Sequence, residues 1–288
     1  MKIVEDMGKE AKGEIKTFLD FGKIQAGRRT CYDYYEGQDA YDLFMGARYF
    51  KDIMAYRDGE AEKVYQVEDI RDQTRKYAAL VACKDGSGRE MVFFEPGSAA
   101  MGVIDALEHL NKEYGQLNVK DIIFKGIDNS KWMNAAALYT HEQYDVELWE
   151  SAKESGPVSS DLFFAKGVSL MYVYEDEEAM CDAIRNSKIA IFDYTFSIGD
   201  KIQDFVGTGL PVTFLSLDKC KKLLEEEGKV LILKPYVIKN YHHNPKEKVT
   251  YECIYGDKKI VEKYLDELNK KIGENLDNYG DKKFIREE

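Results

Sequence analysis

Met91-Val-Phe-Phe-Glu95-Pro-Gly97-Ser-Ala-Ala-Met-Gly102 is an apolar run short enough for a buried strand, ending in a carboxylate and then in residues of little bulk. Downstream, Asp121-Ile-Ile-Phe-Lys-Gly126-Ile-Asp128-Asn-Ser130 repeats the pattern of apolar run and terminal acid. Between the two, Val103 to Tyr114 carries apolar side chains at Val103, Ile104, Leu107 and Leu110, the spacing of one helical face. Strand, glycine turn, helix, strand, acid is the layout that holds a nucleotide-type ligand across the carboxyl ends of a parallel sheet.

Working outward, Tyr77–Cys83 and Glu90–Glu95 flank Asp85-Gly-Ser-Gly88, a turn signal, which predicts a hairpin-like lead into the sheet. From Gly13 to about Thr74 the pattern is helical, charged and rich in tyrosine. Residues 1–76 are therefore expected to form a helical N-terminal cap or lid, and residues 77–288 the core domain. Beyond Asp128 the pattern predicts a helix from Ser130 to Glu142, a strand Val146–Trp149, a loop through Ser151–Ser160 and an apolar run from Leu162 to Tyr174. A helix from Glu175 to about Arg185 precedes a fourth core strand, Lys188–Asp193. Helix Leu217–Glu227 then leads to a fifth strand, Lys229–Pro235. Val249–Tyr255 reads as a strand and Lys258–Ile272 as an amphipathic helix. Strands alternating with helices predict an α/β fold, Rossmann-like and doubly wound, with a mainly parallel sheet.

The 288 residues, 44% hydrophobic and 33% charged, suffice for a large core and carry no bias toward disorder. No apolar run is long enough to span a bilayer, and Met1-Lys-Ile-Val-Glu-Asp lacks the apolar core of a signal peptide. The five cysteines are odd in number and scattered, without CxxC spacing, so free thiols in a reducing cytoplasm are expected. A net charge of −12 argues against a nucleic-acid backbone as the main partner. A small molecule or peptide is the more natural substrate. The carboxylates are too dispersed to argue a metal site, and neither HxxxH nor HExxH occurs. Nothing in the sequence sets the oligomeric state.

Each motif has a plain alternative. Small residues from Gly97 to Gly102 suit a backbone turning sharply beside a ligand, or an ordinary strand-to-helix turn. Asp128 can accept hydrogen bonds from both hydroxyls of a ribose or cap the next helix, a task that Asn129 and Ser130 are also able to fill. Read together, the two halves resemble class I S-adenosylmethionine-dependent methyltransferases: Glu-x-Gly-x-x-x-x-Gly after one strand, Gly-Ile-Asp-x-Ser after the next. The resemblance covers about residues 75–236. It implies that Glu95, Gly97 and Ala99 line the S-adenosylmethionine, that Asp128 binds its ribose, and that Ile127 and Asn129 flank the adenine. Ala40-Tyr41-Asp42-Leu-Phe-Met45 resembles the lid Tyr-Asp of several small-molecule methyltransferases, which places Tyr41 near the cofactor. The chain departs from the family in having Ala99 where a second glycine often stands. It departs again after Lys229–Pro235, which is followed by a loop, one strand and a helix, whereas the family puts a helix before a terminal antiparallel strand pair.

Asp193-Tyr194-Thr-Phe-Ser197 follows the fourth core strand, where side chains face the ligand cleft of a parallel sheet. An acid and a phenol there can orient a nucleophile or remove its proton, or Asp193 can simply cap the next turn. His242, in the pair His242-His243, is a candidate base near neutral pH or an exposed loop residue. Lys166-Gly167-Val168-Ser169 borders the adenine or forms a plain turn. His141, beside Glu142, is expected at the surface. The expected activity is methyl transfer from S-adenosylmethionine to an oxygen or nitrogen of a small molecule or peptide, with Asp193, Tyr194 and His242 acting on the acceptor. The alternatives are a nicotinamide-dependent oxidoreductase, which the missing GxGxxG disfavours, and a non-catalytic methyltransferase-like partner protein.

Overall fold

Alternation along Met91–Pro96 (β1) sends Phe93 to one face of a sheet and Phe94 to the other, and both are buried. A strand covered on both faces belongs in the middle of a parallel sheet. Each ring packs edge-to-face on a neighbour, Phe93 on Phe124 at 6.1 Å and Phe94 on Phe163 at 5.7 Å. Full burial of such a side chain contributes about 1.5–3 kcal/mol.

The computed structural model describes residues 70–274 apart from short stretches, chiefly 98–101, 129–133, 167–169, 198–201, 206–210 and 236–247. Helix Ile70–Asp85 (α1) precedes β1, and Gly102–Tyr114 (α2) follows it. Then come strands Ile122–Ile127 (β2) and Asp145–Trp149 (β3), short helix Ala152–Ser155 (α3), strand Ser160–Ala165 (β4), and helices Leu170–Tyr174 (α4) and Glu177–Arg185 (α5). Strand Ser187–Ser197 (β5) is followed by a separate hairpin of Ile202–Phe205 (β6) and Pro211–Phe214 (β7). Helix Leu217–Leu223 (α6), strands Lys229–Pro235 (β8) and Lys248–Asp257 (β9), and helix Lys258–Glu274 (α7) complete the described chain. The main sheet runs β3-β2-β1-β4-β5-β9-β8. The first five strands are parallel, while β9 lies antiparallel between β5 and β8. One face of the sheet is covered by α1, α2 and α7, the other by α4, α5 and α6.

This is the Rossmann-like, mainly parallel architecture expected, with local differences. Tyr77–Cys83 is helix, not one arm of a hairpin. Its seven residues are all buried, so no polar stripe marks the helical period and the run reads equally as a strand. The run Leu162–Tyr174 divides into β4 and α4. Lys229–Pro235 is not a fifth parallel strand: among the described strands it pairs with β9 alone and antiparallel, so β8 and β9 form the terminal antiparallel pair, with α6 preceding it. His141 is buried, with its ring 6.4 Å from that of Tyr144, which in turn packs edge-to-face on Phe124 of β2 at 5.8 Å. Of the expected cap over 1–76, all but the start of α1 lies outside the described residues, and α1 runs unbroken through positions 76 and 77. The four described cysteines, Cys83, Cys181, Cys220 and Cys253, are free and buried.

Candidate active site

The parallel strand order changes direction at β1, whose neighbours are β2 on one side and β4 on the other. Crossovers on either side of such a point leave opposite faces, opening a crevice at the carboxyl ends of the strands. Both of the decisive stretches of sequence end there.

Gly97 leaves β1 at φ 67°, a conformation that costs a residue with a Cβ but not glycine. Its N–H donates to Ile127 O at 2.6 Å, tying the turn to the end of β2. One residue on, Asp128 N–H donates to Trp149 O at 3.0 Å, and the buried Asn134 amide donates to Asp128 O at 2.9 Å. The three strand ends are thereby fastened in a row through main-chain atoms. The Asp128 side chain, half-buried, stands at the carboxyl end of β2. Of the other expected cofactor contacts, Ala99, Asn129 and Tyr41 lie outside the described residues, as does His242.

Glu95 sits at the end of β1 with 4% of its surface exposed. One carboxylate oxygen lies 3.0 Å from Arg75 Nη2, and the other accepts the Val103 N–H at 3.1 Å. That N–H belongs to the first turn of α2, where main-chain donors have no partner within the helix and a negative charge is favoured. Glu95 thus joins β1, α1 and α2.

Asp193 does not follow a strand but lies within β5. The reason is the mixed sheet: β5 pairs with β4 only as far as Phe192, while β9 pairs with it all the way to Ser197. Asp193 lies opposite Glu252 of β9, and the next position of β4's line is Lys166. The Lys166 ammonium, its side chain 1% exposed, is 2.6 Å from Glu252 Oε1 and 3.8 Å from Asp193 Oδ1. The Tyr264 phenol of α7 belongs to the same cluster: burial, and after it the charges of Glu252 and Asp193, hold its pKa well above the ordinary value. Burial and the same two carboxylates also raise the Cys253 thiol.

Successive residues of a strand point to opposite faces. Asp193 therefore lies on the side of α1 and α7, whereas Tyr194 packs among Phe192, Cys253 and the rest of the opposite core. The structure does not bring this acid and phenol together. It does bring together Lys166, Asp193 and Glu252; sequence reasoning named Asp193 as acting on the acceptor and Lys166 only as a border of the adenine or a plain turn, and missed Glu252. The signals for the others were a lysine closing the apolar run Leu162–Ala165 and a glutamate at an inward position of Val249–Tyr255. Among the described residues, no group of three or more His, Cys, Asp or Glu is arranged to hold a metal ion, and no helix is long and apolar enough to cross a membrane.

No protein-family model matches the chain, and no curated protein matches it. Among solved structures, magnesium protoporphyrin IX methyltransferase from Synechocystis PCC 6803 with bound SAM is 13% identical, with 76% of this chain and 99% of that one covered, at a TM-score of 0.39. An S-adenosylmethionine-dependent methyltransferase from Clostridium acetobutylicum is 12% identical, covering 72% and 98%, at 0.39. The citrinin polyketide synthase CMeT domain is 13% identical at 0.38, and the chain spans 47% of its length. At these scores none of them assigns a family or an activity to this chain.

Proposed function

We propose that the protein is an S-adenosylmethionine-dependent methyltransferase acting on an oxygen or nitrogen of a small molecule or peptide. The observation that carries this is the pairing, at the ends of adjacent parallel strands beside the β1/β4 crevice, of a turn held at positive φ by Gly97 with the half-buried acid Asp128. The donor set fits a nucleoside: main chain without side-chain bulk on one strand end, and a carboxylate able to accept from a ribose diol on the next. Asp128 would hold the ribose, Gly97 and Ala99 would leave room for the rest of the cofactor, and Asn129 and Tyr41 would close around it. Glu95 acts on this site at one remove, by fixing the loop's two flanks.

When bound, S-adenosylmethionine supplies a methyl group already activated on a sulfonium. What remains for the protein is to align the acceptor and exclude water. Asp193, on the sheet face of α1 and α7, is the candidate to orient the acceptor or take its proton, with His242 a second candidate base. Tyr194, facing the opposite core, would support β5 and not share that task. The segment 1–76 is proposed to cover the crevice as a lid. The cysteines and composition suit a cytoplasmic setting.

Calorimetric titration with S-adenosylmethionine, S-adenosylhomocysteine and NAD tests the reading directly. Binding of both sulfur ligands, absence of NAD binding, and a loss on Asp128→Ala of about 10- to 100-fold are expected, the last because a charge-assisted hydrogen bond contributes about 1.5–3 kcal/mol. Failure of the wild-type protein to bind either sulfur ligand removes the proposal. Unchanged affinity in Asp128→Ala removes the ribose assignment.

A further inference from the structure

The loop between Gly97 and Gly102 has two anchors. The first is the Gly97 hydrogen bond to Ile127. The second comes from outside the glycine motif altogether, from Arg75 on α1. Its guanidinium makes the 3.0 Å ion pair with Glu95 and lies 4.8 Å from the centroid of the Phe164 ring in β4. It also occupies the place where Gly102 lacks a side chain: a Cβ on Gly102 would stand 2.8 Å from Arg75 Cζ and Nη1. Glu95, held by that guanidinium, accepts the Val103 N–H at the start of α2. One arginine therefore touches the strand before the loop, the first residue of the helix after it, and the strand across the crevice.

We propose that Arg75 is a positioning residue for the ligand site, fixing Gly102 and the start of α2 from α1 so that ligand affinity depends on how α1 is seated. The guanidinium suits this task, since Nη2 pairs with Glu95 while Cζ stands 4.8 Å from the Phe164 centroid, and a lysine's compact ammonium supplies one point charge in place of that spread of contacts. Gly102 is explained at the same time: any side chain there would displace the guanidinium. A purely structural pair would stabilise α1 against the sheet without ordering the loop, and the two cases differ in what they predict for loop amides.

The experiment is amide hydrogen exchange on the full chain without ligand, comparing wild type with Arg75→Lys, Arg75→Met and Gly102→Ala, together with S-adenosylhomocysteine titration of each. Exchange in the peptide spanning 97–103 is expected to accelerate by about tenfold or more in Arg75→Met and Gly102→Ala, with β4 and β5 unchanged, and S-adenosylhomocysteine affinity is expected to fall within the roughly 5- to 150-fold range of coupled sites. Arg75→Lys should fall between. In Arg75→Met, adding Gly102→Ala should produce little further change, because both remove the same contact. Unaltered exchange at 97–103 in Arg75→Met and Arg75→Lys would overturn the proposal, as would wild-type affinity in both. Its affinity arm rests on the function proposed above; its exchange arm does not. A wild-type protein that binds no sulfur ligand, yet loosens at 97–103 in Arg75→Lys, would refute the cofactor and leave the positioning role intact.

Discussion

The two ends of the parallel strands use the same chemistry at different cost. At the amino ends, Asp161 of β4 accepts both arms of the Arg89 guanidinium, one of them at 3.0 Å, and the Val92 N–H of β1 at 3.0 Å; Lys188 of β5 stands 3.3 Å away. The Arg89 and Lys188 side chains are 40% and 41% exposed, so their charges remain largely in water. At the carboxyl ends, Lys166 and its two carboxylates are taken out of water almost completely. A cation that keeps its hydration costs the fold little, and its pairing returns little. A buried one must be matched atom by atom, or the remaining charge is stranded. The sheet thus carries inexpensive ion pairs at one end and demanding ones at the end where the crevice opens.

Lys166→Met puts the largest strain on that contrast. It takes from Glu252 and Asp193 the buried cation they share and should cost about 3–5 kcal/mol, read as a lowered midpoint in urea unfolding. Adding Glu252→Gln should restore much of the loss, since the second uncompensated charge is then gone. A single-variant loss no greater than that of an exposed pair would erase the difference between the two ends.

Asp161→Asn is the matching change at the amino end. It removes a charge but keeps an acceptor for Val92, so a loss of about 1–2 kcal/mol is expected, with sulfur-ligand affinity unaltered. Burial alone would raise the Asp161 pKa, but the Arg89 and Val92 hydrogen bonds, with the charges of Arg89 and Lys188, outweigh it and hold the carboxyl below the usual range. A carboxylate depressed in the folded state stabilises it above the unfolded pKa, near 3.9, and loses that contribution as pH falls through the folded value. Wild type and Asp161→Asn should therefore differ most above about pH 4 and converge in stronger acid. A stability difference that keeps its neutral-pH size throughout the acid range would contradict this.

The smallest effect belongs to Lys84, whose side chain is 56% exposed and pairs with Glu267 of α7 at 3.1 Å. Lys84→Ala should change stability by less than about 1 kcal/mol, and the change should vanish in high salt. A larger, salt-insensitive loss would show that α1 depends on this pair to dock on α7.

Legibility from sequence followed the range of the interactions. β1, the turn at Gly97, α2 and β2 are contiguous, and each carries its own signal: a short apolar run, small residues, a helical stripe, a terminal acid. α1 was misread because it is buried on every side along Tyr77–Cys83, which removes the contrast that reveals a period. Asp193 was placed correctly at the crevice end of the sheet but wrongly at the end of its strand, because the partner that prolongs β5 is β9, distant in sequence. Glu95 was read as lining the cofactor, and nothing local announced Arg75 or the Val103 N–H, which its two oxygens meet.

The sequence by itself therefore determined the α/β class, the glycine turn and the acid that follows it on the neighbouring strand, since these depend on local periodicity and on conformations only certain residues adopt. The tertiary structure alone decided which charges meet: Arg75 with Glu95, Lys166 with Glu252 and Asp193. Pairs drawn from separate elements leave no periodic trace along the chain. Their partners are chosen by strand order and register, and these come from burying two faces of one sheet at once.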